Sequence, residues 1–337
     1  MVTIYDVAAR AGVSSATVSR VFNGIPVGPP FAEAVLKAAN ELGFVPNRNA
    51  RRLRMSSSEI IAMMIPDIEN PFYTAMVRAV EDVARAGGYS VMLCNTDEDP
   101  EREQEYLRAA VSDPVAGIIM VPSSGTVNLE FALERNVPVV CADRRLPGYP
   151  VDAVVGDNIS GAAAATMTLF DAGYRRVACI SGPEGVETAD DRHRGWEISY
   201  RKATARKPPA KLAIRTSYTV AGGEAATRRL LASAKPPDAI IAGNNKLAAG
   251  VIRVLAEAGR LPPITGVVAF DGLPLALLTP LGLTVAHLPS REMGELAASM
   301  LLERIGGLKG PAREVVLPVV ISDEESGISM LEGSASV

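Results

Sequence analysis

From Ile60 onward, short uninterrupted apolar runs alternate with helical stretches, and this rhythm restricts the possible folds more than any other feature of the chain. The runs fall at 60–65 (IIAMMI), 89–94 (YSVMLC), 117–121 (GIIMV), 137–142 (VPVVCA), 177–181 (VACIS), 239–242 (AIIA) and 267–270 (VVAF). Helical spacing predicts helices over 72–87, 100–112, 159–172, 223–234, 245–258 and 291–305, several ending on a glycine such as Gly87, Gly173 or Gly259. Strands apolar on both faces need covering on both, and strands joined through helices run parallel. The pattern occurs twice, over 60–157 and 160–287, which predicts two similar α/β lobes. Ligands of such sheets bind beyond the carboxyl ends of the strands, so the expected site is a cleft between the lobes.

The first 45 residues read differently. Ile4, Val7, Ala8 and Ala11 share one helical face, Gly12 breaks the helix and Val13 packs the turn. Ser14 is an N-cap for a second helix through about Val21. That helix turns Val18 and Val21 inward and leaves Ser15, Ala16, Thr17, Ser19 and Arg20 outward. Asn23, Gly24 and Pro26 end it. A third helix starts near Gly28 and Pro29, is expected to bury Phe31, Val35, Leu36, Ala39 and Leu42, and stops at Gly43. Helix, tight glycine turn and short polar helix make a helix-turn-helix.

Charge divides at the same place. Residues 1–58 hold seven Lys/Arg against three Asp/Glu, and the remainder holds 27 against 35. A basic head on an acidic body directs the head alone towards a polyanion. Between them runs PNRNARRLRMSSS, residues 46–58, too short for an independently stable helix; read alone, it is also compatible with a flexible linker.

Other classes are poorly supported. A chain of 337 residues suggests two or three domains. No apolar run reaches the roughly 18 residues of a membrane span, and MVTIYD lacks the basic start and apolar stretch of a secretory signal, so the expected compartment is the cytoplasm. Cys94, Cys141 and Cys179 sit in apolar runs without CxxC spacing and read as buried free thiols rather than disulfides or a zinc site. GxSxG, P-loop and HExxH motifs are missing, and neither His193 nor His287 neighbours an obvious nucleophile. No enzymatic activity, cofactor or metal is expected.

The segment TIYDVAARAGVSSATVSRVFNG, residues 3–24, resembles the head of the LacI/GalR (lactose-repressor) family. The family's hinge pattern P-N-x-x-A-R-x-L reads Pro46, Asn47, Ala50, Arg51, Leu53, and the body carries PDIENPF at 66–72, Asp143–Arg144, Arg192–Gly195 and Phe270–Asp271. The resemblance spans nearly the whole chain. It implies an all-α helix-turn-helix head on a two-lobed, periplasmic-binding-protein-like (type I) α/β body, each lobe a parallel sheet flanked by helices. The implied divisions are a head over 1–45, a hinge over 46–59, an N-terminal lobe of 60–158 and 289–318, a C-terminal lobe of 159–288 and 319–330, and a frayed tail over 331–337.

The resemblance also implies roles. Ser15, Ala16 and Arg20 match base-reading positions: Arg20 suits guanine O6 and N7, and Ala16 a thymine methyl. Thr3, Ser14, Thr17 and Asn23 match phosphate-contacting positions, which set register. Leu53, flanked by Arg51, Arg52 and Arg54, matches the family's minor-groove wedge, with Ala50 beside it; the alternative for Leu53 is packing on the body. The body is similar to the periplasmic ribose-type binding proteins. Their sugar set maps here onto Asn70, Phe72, Tyr73, Asp143, Arg144, Arg192, Tyr218, Asn244, Asp271 and His287. Carboxylates, guanidinium and amide groups suit sugar hydroxyls, and aromatic faces suit sugar C–H faces. A structural ion pair is the other reading of Asp143–Arg144, and a structural role that of Arg192. Two departures stand out: Asn245 follows Asn244 where the family usually has Asp, and FDG at 270–272 replaces FDD. They weaken the case for a cationic ligand and leave neutral and anionic ones open.

The expected function is therefore a ligand-responsive transcriptional regulator, a repressor, that binds a pseudo-palindromic double-stranded operator as a homodimer and answers to a monosaccharide or derivative. No membrane partner is expected. A solute-binding protein for transport is the alternative; it accounts for the body but not for the head or hinge.

Overall fold

A computed structural model describes residues 2–22, 25–44, 58–112, 115–271 and 282–323. The chain divides into two units, residues 1–58 and 59–337. In the first, helix α1 (Ile4–Ala11) starts in a capping box: the Asp6 N–H donates to the Thr3 hydroxyl and the Thr3 N–H to the Asp6 carboxylate. Gly12 ends it in the left-handed conformation, at φ 67°. The Thr17 N–H donates to the Ser14 hydroxyl at 3.1 Å and opens α2 (Ser15–Phe22). Helix α3 spans Pro29–Leu42. The three bury Val7, Ala8, Val18, Val35, Ala38 and Ala39 in one small core. Phe31 and Leu36, expected inside, are 55% and 54% exposed. Leu36 lies one helical step off the Val35–Ala38–Ala39 stripe, and Phe31 sits in the first turn, at the end of α3 away from Ala38 and Ala39.

The second unit holds two six-stranded sheets. The first has the order β11-β5-β4-β3-β1-β2 and comprises β1 (Ile60–Ile65), β2 (Ser90–Asn95), β3 (Gly117–Met120), β4 (Val139–Ala142), β5 (Asp152–Gly156) and β11 (Glu314–Leu317). The second has the order β12-β10-β9-β8-β6-β7 and comprises β6 (Val177–Ser181), β7 (Ala213–Arg215), β8 (Ala239–Ala242), β9 (Gly266–Phe270), β10 (Thr284–His287) and β12 (Val320–Asp323). The two orders are the same, position for position. All pairings are parallel except β10 with β12, which are antiparallel. The central strands β3, β6 and β8 are buried along their whole length and β1 from Ile61 onward, as the apolar runs require.

Helices α4 (Pro71–Ala86), α5 (Pro100–Ser112), α6 (Glu130–Glu134) and α11 (Ser290–Ile305) belong to the first lobe; α7 (Asn158–Asp171), α8 (Glu187–Thr204), α9 (Val220–Leu231) and α10 (Asn245–Glu257) belong to the second. The chain passes between lobes after β5, after β10 and between β11 and β12. The returning segment is fastened by Asp152 on β5, which is buried and takes ion pairs from Arg304 at 2.6 Å and Arg313 at 2.7 Å. These guanidinium groups hold its carboxyl down at about 2 despite burial.

Three helices depart from the sequence reading, the short α6 being one that no apolar spacing announced. Helix α9 (Val220–Leu231) begins and ends three residues earlier than expected, capped by Thr219, and so takes in Gly222 as well as Gly223. Gly223 is required by close approach: a Cβ there would lie 2.4 Å from the Leu247 carbonyl of α10. Helix α8 gave no apolar signal. Its inner stripe mixes Thr188, Arg192, Gly195, Trp196, Ser199 and Tyr200, and Gly195 lets it press on α7, where a Cβ would meet the Ile159 carbonyl at 2.3 Å. Cys94, Cys141 and Cys179 are buried free thiols; burial pushes Cys141 and Cys179 up to about 12. Among the described residues no helix is long and apolar enough to cross a membrane.

Candidate functional site

Each lobe presents its strand-to-helix turns to a cleft of about 540 Å³. Asn70 ends the loop after β1 and caps α4, its Oδ1 accepting the Phe72 N–H at 3.0 Å. This delivers Phe72 and Tyr73 to the cleft wall, their rings packed edge to face at 5.0 Å. Asn244 does the same after β8, capping α10 by accepting the Leu247 N–H at 2.8 Å. Gly182 makes room for Tyr218, whose ring stands where a Cβ would be.

Asp143 and Arg144 follow β4 and are both buried. The Tyr73 hydroxyl donates to Asp143 Oδ2 and receives Arg144 Nη2, each at 3.2 Å. Asp143 and Arg144 also form the ion pair that is the other reading of them, Arg144 Nε lying 3.7 Å from Asp143 Oδ2. Among the described residues, Asp143 Oδ1 and Arg144 Nε are buried without a hydrogen-bond partner, and the Tyr218 hydroxyl makes no hydrogen bond of normal geometry. Burial pushes the Asp143 carboxyl up, opposed by Arg144 and Arg192. Arg192, on α8, is buried and points Nε at Asn158 Oδ1 (2.8 Å) and Nη1 at the Gly243 carbonyl (2.5 Å), with its guanidinium 4.5 Å above the Phe270 ring. Asp271 follows β9. Burial pushes its carboxyl up to about 7, while Arg192 and the Leu288 N–H, 3.3 Å away, act to lower it.

Nine of the ten residues expected to meet the ligand thus line one cleft, drawn from both lobes: Asn70, Phe72, Tyr73, Asp143, Arg144, Arg192, Tyr218, Asn244 and Asp271. His287 does not line it. Its register on β10 places it opposite Val320, and its Nε2 is engaged with the Ser322 hydroxyl at 2.8 Å, an arrangement set by the antiparallel β12.

Several cleft features escaped the sequence. Glu98 takes both Nη atoms of Arg144 at 2.7 Å. Asn245, read as a lost ligand carboxylate, instead donates to Asn70 Oδ1 at 2.8 Å across the cleft. Lys246 also crosses, pairing with Asp67 and lying 3.6 Å from Glu69. A third crossing joins Arg145 to Glu187 at 2.5 Å. The NNK run held the signal for two of these, since two polar residues behind an N-cap face the opposite lobe.

In the helical unit, Ala16 and Arg20 are exposed and one turn apart on α2, while Ser15 and Thr17 are half-buried. Thr3 and Ser14 are exposed and serve as caps. Asn23, Ala50, Arg51 and Leu53 lie outside the described residues, with nearly all of the 46–59 segment.

A helix-turn-helix unit and a two-lobed cleft on one chain define a ligand-responsive transcriptional regulator rather than a plain binding protein. Residues 3–47 match the family of bacterial regulatory proteins, lacI family, and residues 58–325 match the periplasmic binding proteins and sugar binding domain of LacI family. The chain belongs to the LacI family. It is 36% identical over 307 residues to the ribose operon repressor of Halalkalibacterium halodurans, covering 90% of this chain and 91% of that protein. Its structure is similar to the lac repressor dimer bound to operator and the anti-inducer ONPF, with a TM-score of 0.83 and 25% identity over 96% of this chain and 98% of that one. It also matches a LacI family transcriptional regulator from Enterococcus faecium with bound ribose, with a TM-score of 0.69 and 28% identity over 78% of this chain and 96% of that one. These relatives are regulators, not enzymes.

Proposed function

We propose that this repressor acts in the cytoplasm as a homodimer, binds a pseudo-palindromic operator through α2 and the 46–59 hinge, and is controlled by a monosaccharide or close derivative in the cleft, on which it performs no chemistry. The observation that carries this reading is the convergence of polar side chains from both lobes on one cleft, with Asp143 Oδ1 and Arg144 Nε buried there without hydrogen-bond partners. Buried polar atoms without partners are costly, and sugar hydroxyls would satisfy both. The ribose in the Enterococcus faecium neighbour and the operon of the Halalkalibacterium halodurans relative support a sugar. The proposed divisions are the head (1–45), the hinge (46–59), an N-terminal lobe (60–158, 289–318), a C-terminal lobe (159–288, 319–330) and a tail (331–337).

The proposed ligand residues are the nine that line the cleft. The proposed DNA residues are Thr3, Ser14, Ser15, Ala16, Thr17, Arg20, Asn23, Ala50, Arg51 and Leu53. Arg192→Ala or Asp271→Ala leaves a polar partner unpaired and should weaken sugar binding by about 1–3 kcal/mol, while operator binding persists. Calorimetry against common monosaccharides checks this; wild-type affinity in both variants would overturn the assignment of the cleft.

A two-fold dimer follows from a palindromic site. The first lobe offers a surface for it: β2 is an edge strand with Met92 and Leu93 partly exposed, next to α4. Light scattering at micromolar concentration should give twice the chain mass, and a monomer in the presence of operator would contradict the proposal.

A further inference from the structure

The cleft wall carries six acidic side chains and three basic ones, and two of the basic three are already neutralised. Lys246 pairs with Asp67 and lies near Glu69. Arg144 is gripped by both oxygens of Glu98 at 2.7 Å, and its Nη1 also donates to the Pro122 carbonyl at 3.1 Å. Arg192 alone makes no ion pair among the described residues, and its Nε and Nη1 are already taken by Asn158 and the Gly243 carbonyl. Against six acidic side chains the wall thus offers an anionic ligand one unpaired guanidinium, two of whose nitrogens are already hydrogen-bonded.

Glu98 reaches Arg144 from a strained turn. Asp97 and Glu98, following β2, both adopt left-handed backbone, with φ of 54° and 56°, a conformation that costs energy in residues other than glycine. Asn95 fastens the turn by donating to Asp97 at 2.5 Å, and Arg102 pairs with the same carboxylate. The turn holds a carboxylate, itself about one-third exposed to the cleft, against a guanidinium that is 3% exposed.

We infer that Glu98 is a specificity-determining residue: by occupying Arg144 it makes the cleft select neutral sugars and reject their phosphorylated or acidic counterparts. This rests on the sugar reading of the cleft. A phosphate or carboxylate entering here would have to displace Glu98 from Arg144 or rely on Arg192, already bonded to Asn158 and the Gly243 carbonyl, with Asp143 and Asp271 alongside, and a desolvated, poorly paired anion is heavily penalised. A neutral sugar needs only the open Nε of Arg144 and the open oxygen of Asp143, which donate and accept in turn.

The test is calorimetry of the full-length protein with D-ribose against D-ribose 5-phosphate, and D-glucose against D-glucose 6-phosphate and D-gluconate. Wild type should bind one neutral sugar at least about 100-fold more tightly than its anionic counterpart. Glu98→Gln removes the charge and should shrink that gap by about tenfold or more, through tighter binding of the anion. Glu98→Asp keeps the charge and should keep most of the gap, and thermal melting of both variants reports whether they fold. If Glu98→Gln does not fold, the wild-type preference and Glu98→Asp still decide the matter. Equal wild-type affinity for sugar and phosphate, or an unchanged gap in folded Glu98→Gln, would overturn the inference. Failure of wild type to bind any neutral or anionic sugar would overturn the sugar reading beneath it.

Discussion

Asp143 and Asp271 hold equivalent places in the two lobes. Each follows the fourth strand of its sheet, each has left-handed backbone (φ 64° and 56°), and each donates its N–H to the next strand over, at Val154 and Ala286. Such strain in a non-glycine residue persists where the surroundings fix it, and here both lobes fix it at the cleft. These aspartates were legible only through the resemblance, in the pairs Asp143–Arg144 and Phe270–Asp271; Glu98 was not, since its role depends on a turn that no propensity favours. Asp271, with a carboxyl near 7, predicts a pH dependence. Below that value it is largely protonated and cannot accept two sugar hydroxyls, whereas ligand donation favours the carboxylate and drives proton release. Sugar affinity should therefore rise with pH, by about tenfold between pH 6 and pH 8. A flat profile in calorimetric titrations across that range would argue against Asp271 as an acceptor.

At the scale of elements, legibility followed the nature of the buried face. The apolar runs announced the central strands, and the apolar face of Ile4, Val7, Ala8 and Ala11 with Gly12 and Ser14 announced α1 and α2. Helix α8 was silent because the stripe it buries is glycine, serine, threonine and arginine around Trp196. The cap at Thr219, not periodicity, placed Gly222 inside α9. His287 stands apart from the cleft residues because β12, which pairs with β10, brings Ser322 to its ring, and strand pairing cannot be read from β10 alone. The recognition helix yields its own prediction. Arg20 is exposed one turn from Ala16 on α2, so Arg20→Ala should cost about 1–3 kcal/mol at one base pair per half-site. Fluorescence anisotropy on operators altered at that pair checks it; equal losses on specific and random DNA would show that Arg20 reads only charge.

In the whole molecule, three chain crossings and three side-chain bridges join the lobes of the body. Asn70–Asn245, Asp67–Lys246 and Arg145–Glu187 all span the cleft, so ligand between the lobes and closure of the lobes strengthen one another. Through the 46–59 segment, closure is expected to change how two heads address the half-sites of one operator. The coupling must be reciprocal, and of about 1–3 kcal/mol if it resembles other allosteric proteins. The most direct measurement is operator affinity of the full-length protein, at fixed salt, with and without a saturating concentration of the sugar that calorimetry identifies. The expected shift is about 5- to 150-fold, and Asp271→Ala should need a correspondingly higher sugar concentration to reach it. An operator affinity unchanged when the cleft is full would contradict it.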